Sequence, residues 1–405
     1  MRVLLVGSGG REHALAWRLS ASPELTELHA APGNPGIAEL ATCHPVAADD
    51  GDGLLALARS LATDLVVVGP EAPLVAGVAD ELRHAGISVF GPSRAAARIE
   101  GSKLFAKDVM AAAVVPTAAV LDAPRAPCVL KADGLAAGKG VIVCRTEEEV
   151  VAGLGVARGF DGPVLMEELL EGRELSVLAL ADGLDALALA PARDFKRAAD
   201  GDSGPNTGGM GSFAPVPDVD DDLLSTVLET CVRPTLAELA RRGTPFVGTL
   251  FAGVMLTAEG PHVLEFNCRF GDPETQSVLP LVDGDLLVAL AAAASGSLAG
   301  VALGRLDASA VTVVLAAGRY PAAGDVGTPI QGIDDATAAG ALVFQAGTAL
   351  SDGELVTNGG RLLGVTATGA DLADARTRAY AAADLVRIPG ARRREDIALT
   401  AATAA

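Results

Sequence analysis

The chain has 405 residues, half of them hydrophobic, with 31 Lys plus Arg against 51 Asp plus Glu and a formal charge of −20. That length calls for about two to four domains, and the acidic balance argues against nucleic acid or an acidic membrane as a partner, so an anionic substrate must meet local positive charge. Cys43, Cys128, Cys144, Cys231 and Cys268 lack CxxC spacing, the opening apolar run is only four residues long, and no later segment spans a bilayer, which together predict reduced thiols and a cytoplasmic location.

The first hundred residues alternate short apolar runs with helical patterns: RVLLVG, a helix over 11–20, ELHAA, DLVVVGP, a helix over 74–85 and ISVFGP. This rhythm predicts a Rossmann-like, doubly wound parallel sheet over 1–100. It changes near Pro92, where a Lys-bearing helix over 101–113 leads into CVLKAD and GVIVC, joined by a Gly-rich loop. Further strands, PVLMEELL, ELSVLALAD, ALALAP, FVGTLFAGVML and HVLEFNC, lack regular helical spacers and predict an α+β unit closed by a helix over 286–294. The strands VTVVLAAG, ALVFQAG and RLLGVTATG and a helix over 371–385 form a small third unit of mixed β structure. The boundaries expected are 1–100, 101–305, with a small subdomain over about 114–177, and 306–405. The one long loop, DFKRAADGDSGPNTGGMGSFAPVPD, is of a length that in a compact chain points to function or disorder, and its flanking order favours function.

Gly7, Gly9 and Gly10 follow the first strand and open a helix, where amides approach a phosphate. The third glycine of a dinucleotide fingerprint would fall at position 12, which is Glu12, and the second strand ends Ala30, Ala31, Pro32 without an acid for a ribose hydroxyl. NAD is therefore excluded in favour of a single sugar phosphate beside Arg11, with a tight turn packing helix on sheet as the alternative. Glu71, just past DLVVV, lies at the carboxyl end of the sheet, where open sheets bind ligands. ADGLAAGKGV is not a P-loop, since no Ser or Thr follows Lys139 and the loop joins two strands. A Gly-rich hairpin still covers a polyphosphate well, with Lys131 and Lys103 neutralising it, and Lys131 inside a strand requires either a phosphate or an acid as partner. Glu167, Glu168 and Glu174 are acids at strand ends, suited to an adenine amine and ribose hydroxyls or simply solvated. In HVLEFNCRFGDPET, strand alternation puts Glu265, Asn267 and Arg269 on one face, while Leu264, Phe266 and Cys268 point into a core. Carboxylate and amide oxygens suit Mg²⁺, and the guanidinium is a fork for carboxylate or phosphate.

GSGGREHALAW, APGNPG, GPEAPL, IEGSKLFAKDVM, VLKADGLAAGKGVIV, DFKRAADGDSGPNTGGMGSFAPVP, EFNCRFGDPETQ and TNGGRLLGVTATG occur in this order over nearly the whole chain. Together they resemble the phosphoribosylamine-glycine ligase family of ATP-grasp enzymes, which acts in purine biosynthesis. The resemblance implies a central ATP-grasp domain between the Rossmann-like and C-terminal units. ATP would lie between two antiparallel sheets, bound by Lys103, Lys131, Gly138, Lys139, Gly140, the Glu167 to Leu169 hinge with Glu168, and Glu174. Glu265 and Asn267 would hold Mg²⁺ or Mn²⁺, with Asp272 and Asp194 as candidates for a second ion. Gly9, Gly10, Arg11, Asn34, Glu71, Asp194, Asn206 and Thr207 would serve the other substrates, with Arg269 and Lys196 catalytic. Glycine would be activated as an acyl phosphate and attacked by the amine of phosphoribosylamine, giving glycinamide ribonucleotide, ADP and phosphate. The long loop would cover this intermediate. Small molecules would be the only partners of a monomer or weak oligomer. Phe195 replaces the His or Tyr common in the family, and the connections 121–128 and 153–163 are short for it. The alternatives are a related ATP-grasp enzyme using formate or bicarbonate and a non-catalytic nucleotide-binding protein.

Overall fold

Val3 to Val6 have no exposed surface, because helices cover both faces of the sheet they form, as an all-parallel sheet requires. Its order is Thr42–Cys43, Glu27–Pro32, Arg2–Gly7, Leu65–Val68, Val89–Phe90, with every pair parallel. The computed structural model that shows this describes residues 1–134, 140–160 and 162–404. Where one helix was expected over 74–85 there are two, Glu71–Ala76 and Val78–His84, separated by Gly77 at φ +101°. A glycine takes this left-handed conformation without strain and ends the first helix. An additional helix, Arg94–Gly101, precedes the one expected over 101–113, which runs Lys103–Ala112. Extended Ser102 caps the second by accepting from the Phe105 amide, and Asp133 accepts the Lys103 amide at 2.6 Å. Short polar side chains at this point outcompete the continuing helical ladder.

The central region holds two antiparallel sheets. The smaller runs Val141–Cys144, Cys128–Ala132, Val164–Glu168, with helix Glu147–Ala157 packed against it. The larger runs Ala186–Ala188, Arg173–Asp182, Val247–Thr257, Gly260–Asn267. The strands lack regular helical spacers, as expected, but one helical stretch not foreseen precedes Val247–Thr257. Asp221–Val227, a π-helical turn Leu228–Val232 and Arg233–Arg241 run in succession, burying Val227, Cys231, Val232, Leu236 and Leu239. Pro234 obscures the helical period in the sequence, yet it stands at the start of the last segment, where its missing N–H costs least. A second correction concerns Leu264. The last strand of the larger sheet has an irregular register at Gly253/Val254, so that Glu265 pairs with Gly253 and Val263 with Val254. The extra residue is Leu264, which is half-exposed, while Val263, Phe266 and Cys268 fill the core.

The long segment after Pro191 is not a free loop. Arg193–Asp194 and Gly211–Ala214 are the first two strands of the third unit's main sheet, followed in space by Ser309–Ala316, Arg361–Gly369 and Leu342–Gln345. Between them Arg197–Ala199 and Ser203–Asn206 form a hairpin fastened to the chain's last segment. Arg394, 1% exposed, grips Asp396 and Asp202, donates to the Arg197 carbonyl and lies 4.9 Å over Phe195. A further sheet, Asp325–Pro329, Glu354–Gly359, Thr348–Ser351, was not foreseen. Among the described residues no helix is long and apolar enough to cross a membrane, and all five cysteines are free.

Candidate active site

The face of the Gly260–Asn267 strand carrying Glu265 looks across to the smaller sheet, and cations gather around it. Lys103 stands at the start of its helix and donates to the Gly134 carbonyl at 2.9 Å. Burial holds its amine below the usual range against the pull of Glu265 and Asp133. Lys131 donates to the Leu264 carbonyl at 2.8 Å, the carbonyl of the bulged residue, and meets Glu167 at 2.5 Å. Of the two partners the sequence allowed for this buried lysine, the structure supplies the acid. Glu167, 2% exposed, also takes Lys107 at 2.8 Å. Burial lowers the Lys107 amine and Glu167 resists that shift. Lys107 was missed, although it follows Lys103 by one helical turn and so shares its face. Exposed Glu168 accepts the Ala119 amide, and half-exposed Leu169 continues this hinge. The Gly140 carbonyl accepts the Ala132 amide, whereas Gly138 and Lys139 lie outside the described residues.

From the other side comes the Arg193–Asp194 strand. Lys196 lies 2.8 Å from Glu174 and 3.5 Å from Asp194. Burial opposes the lysine's charge, but Asp194, Glu174 and Glu265 hold it protonated, well above its usual range. Asp194 is pushed up by burial and by Glu174 and Glu265, against Lys196. Glu174 is pulled down chiefly by Lys196. Sequence reasoning missed Glu274, which is 4% exposed, lies 3.4 Å from the Ser176 hydroxyl, and is raised to about 7 by burial and by Asp194. Its signal was available in GDPET, an acid opening a short buried helix.

Arg269 has Glu71 at 3.3 Å and Glu100 at 3.2 Å, and bonds the Asn267 amide oxygen at 3.3 Å. Burial works against it, yet the two glutamates raise its pKa, so it is a fixed cation. Glu100, also missed, accepts the Cys268 amide and fixes the turn after the strand. Arg11 is placed differently from the expectation. Its guanidinium turns inward to Glu12 at 2.5 Å and the Phe270 carbonyl at 3.1 Å, with Glu71 at 3.9 Å. Gly9, too, has its amide taken by Glu12 at 2.6 Å. The Gly9–Gly10 turn is therefore closed by its own capping glutamate and Arg11 braces it, because a buried guanidinium must be paired where it lies.

A cavity of about 480 Å³ opens between the first and third units, lined by Ser8, Gly9, Gly33, Asn34, Asp272, Gly347, Thr348, Asn358 and Arg361 among others. Asn34 bridges its walls, donating to the Ser8 and Gln345 carbonyls at 2.8 Å each. Asp272 is engaged by Arg361 at 3.2 Å and by Gln276 at 2.8 Å, and is thereby unsuited to a second metal. Thr207 is 6% exposed, with its hydroxyl donating to the Lys196 carbonyl and accepting the Gly209 amide, so it braces the segment. Asn206 donates to the Val141 carbonyl at 3.4 Å, joining that segment to the smaller sheet.

No group of three His, Cys, Asp or Glu side chains suited to a metal occurs among the described residues. Glu265 and Asn267 nonetheless fit a hard divalent ion, since Mg²⁺ uses one or two protein oxygens and takes the rest from phosphates and water.

Two antiparallel sheets facing each other across Lys103, Lys131 and Glu265, beside a parallel-sheet unit, define an ATP-grasp protein. Family models of phosphoribosylglycinamide synthetase match in sequence: the N domain over 1–100, the ATP-grasp (A) domain over 101–275 and the C domain over 310–400. The chain belongs to this family. It is 52% identical over 420 residues to phosphoribosylamine–glycine ligase of Streptomyces coelicolor, with all of both chains covered. It is 48% identical over 424 residues to that of Mycobacterium tuberculosis, with 99% of each covered. The crystal structure of the Thermotoga maritima phosphoribosylamine–glycine ligase is 36% identical with a TM-score of 0.84, covering 98% of this chain and 100% of that one. A biotin carboxylase domain from Hydrogenobacter thermophilus, 17% identical with a TM-score of 0.70 over 96% of this chain and 91% of that one, shares the fold.

Proposed function

We propose that the chain joins glycine to phosphoribosylamine at the expense of ATP, giving glycinamide ribonucleotide, ADP and phosphate, a step of purine biosynthesis. The observation that carries this is Glu265, set between the sheets with Lys103, Lys196 and Asp194 around it. ATP lies between the sheets, its base and ribose toward Glu167, Glu168, Leu169 and Glu174 and its phosphates toward Lys103, Lys131 and Gly140. A divalent ion, Mg²⁺ or Mn²⁺, held by Glu265 and Asn267 supplies neutralising charge to those phosphates.

A glycine carboxylate oxygen attacks the γ-phosphorus and the bond to ADP breaks, giving glycyl phosphate. Like-charge repulsion dominates that barrier, so the chain's task is to fix cations on both partners. Arg269 and Lys196 do this, each kept charged by the carboxylates around it. Asp194 and Glu274, both buried, form the acidic wall that accommodates an ammonium group. The amine of phosphoribosylamine then attacks the acyl carbon and phosphate leaves. Because the Gly9 amide and Arg11 are already engaged by Glu12, the charge that receives the sugar phosphate comes from another wall of the 480 Å³ cavity, where Arg361 is the cation beside Asn358, Thr348 and Gly347.

ADP release by the purified protein with Mg²⁺, ATP, glycine and freshly generated phosphoribosylamine, omitting each component in turn, tests the reading. Release that needs both glycine and the amine supports it. Release that ignores glycine but answers formate or bicarbonate would assign a sister reaction, and ATP binding without release would leave a nucleotide-binding protein.

A further inference from the structure

The cavity and the reactive cluster are linked through one glycine. Gly208 is held at both of its backbone polar atoms by the third unit: its amide donates to the Tyr320 hydroxyl at 2.9 Å, and its carbonyl accepts from Arg361 Nη1 at 2.6 Å. The guanidinium lies flat against it, since a Cβ built at Gly208 would sit 3.1 Å from Arg361 Cζ. The same Nη1 donates to the Asp272 carbonyl at 2.7 Å, and Nη2 meets the Asp272 carboxylate at 3.2 Å. On the next glycine, Gly209 at φ +108°, a Cβ would strike Pro273 at 2.3 Å, so this turn is pressed onto the Asp272–Pro273 turn with no room to spare. One residue back, Thr207 bonds the Lys196 carbonyl through both its amide and its hydroxyl at 2.8 Å. Lys196 then reaches Glu174 and Asp194. Arg361, Gly208, Thr207 and Lys196 thus form an unbroken path of hydrogen bonds and one peptide step from the cavity wall to the acyl-transfer cluster.

We propose that Arg361 is a positioning residue which, on binding a sugar phosphate in the cavity, sets the Asn206–Gly209 turn and through it Lys196. The proposal rests on the cavity being the phosphoribosylamine site. An arriving phosphate competes with Asp272 for the guanidinium, and a planar fork that meets the phosphate while keeping Gly208 must turn as a unit. The turn it holds is drawn with it. Until the phosphate arrives the turn keeps the arrangement seen here, and activation of glycine is slow until the acceptor amine is present. Such an order protects the acyl phosphate from water. A continuous network alone does not establish coupling, so the test must measure it.

The measurement is amide hydrogen exchange over residues 206–211 with and without ribose 5-phosphate, a stable probe lacking the nucleophile, in wild type, Arg361→Lys and Tyr320→Phe. Lysine keeps the charge but, as a point donor, cannot hold the phosphate and Gly208 together. Phenylalanine removes only the grip on the Gly208 amide and lies outside the cavity lining. In wild type, ribose 5-phosphate should slow exchange of these amides roughly fivefold or more, a local stabilisation of about 1 kcal/mol. Both variants should lose most of this protection, with the Tyr320→Phe affinity for ribose 5-phosphate within about twofold of wild type and its kcat lowered roughly tenfold. Binding to wild type without protection, or full protection in both variants, would overturn the proposal. Failure of wild type to bind ribose 5-phosphate would remove the cavity reading and the proposal with it.

Discussion

His13 offers a sharp test of how the first and third units are joined. It is 8% exposed, its Nδ1 accepts the Gln345 amide at 2.8 Å, and its ring meets Phe344 edge-on at 5.6 Å. Burial lowers its pKa to about 4 from 6.5. The folded chain therefore takes up this proton later than the unfolded one, and the stability that depends on neutral His13 is complete above about pH 6.5 and lost as pH falls toward about 4. With these two values, the difference in proton uptake removes about 2 kcal/mol between about pH 7.5 and about pH 5. Asparagine places an acceptor oxygen near the Nδ1 position and does not titrate. Its smaller size lowers stability by an amount that does not change with pH. The chain's one tryptophan, Trp17, packs on the same Phe344 at 6.1 Å, so its fluorescence during urea unfolding reports on this contact. The stability gap between wild type and His13→Asn should narrow by about 2 kcal/mol on acidification, since every other titrating group is common to both. A gap that stays constant across that range would show that His13 is not held neutral and that the account of its hydrogen bond is wrong.

Arg269→Ala should lower turnover roughly a hundredfold, about 3 kcal/mol of barrier, by removing a fixed cation, and steady-state ADP release would read it; near-normal turnover would take Arg269 out of the mechanism. Glu265→Gln should raise the Mg²⁺ concentration for half-maximal rate by roughly tenfold or more, and chelation should abolish ADP release by wild type, both checked by titrating the metal back. Arg394→Ala should destabilise the protein by about 3 kcal/mol or more, because Asp396 and the Arg197 carbonyl lose a buried partner, and urea unfolding would measure the loss.

The sequence signals that proved legible were the ones with a period or a compact motif. Alternation placed Glu265 and Asn267 together, and the apolar runs of the first unit gave its parallel sheet. The failures have local causes. The helix broken at Gly77 reads as continuous because apolar period says nothing about a left-handed glycine. Leu264 was assigned to the core because a bulge shifts alternation without any change in composition. Arg11 looked like a phosphate ligand beside its glycines, but the neighbouring Glu12 satisfies both it and Gly9. The cavity escaped notice because its walls, Asn34 and Asp272 on one side and Asn358 and Arg361 on the other, lie far apart in the chain and meet only in the fold. Glu100 carries no periodic signature; what marks it is burial, whereas Glu274 was announced only as the acid that follows Asp272–Pro273.

The strands Arg193–Asp194 and Gly211–Ala214 sit in the sheet of the third unit although the chain reaches them more than ninety residues earlier. That unit is therefore not a portable module. A fragment beginning near residue 306 would strip the partner from the fully buried strand Ser309–Ala316 and present a bare hydrophobic edge, an invitation to aggregation. Chimeras between relatives would have to carry the 193–214 segment along with the C-terminal piece to fold. In the same way, substitutions in that segment and in the third unit should change together as homologues diverge, even though a map drawn along the chain would file them under different domains.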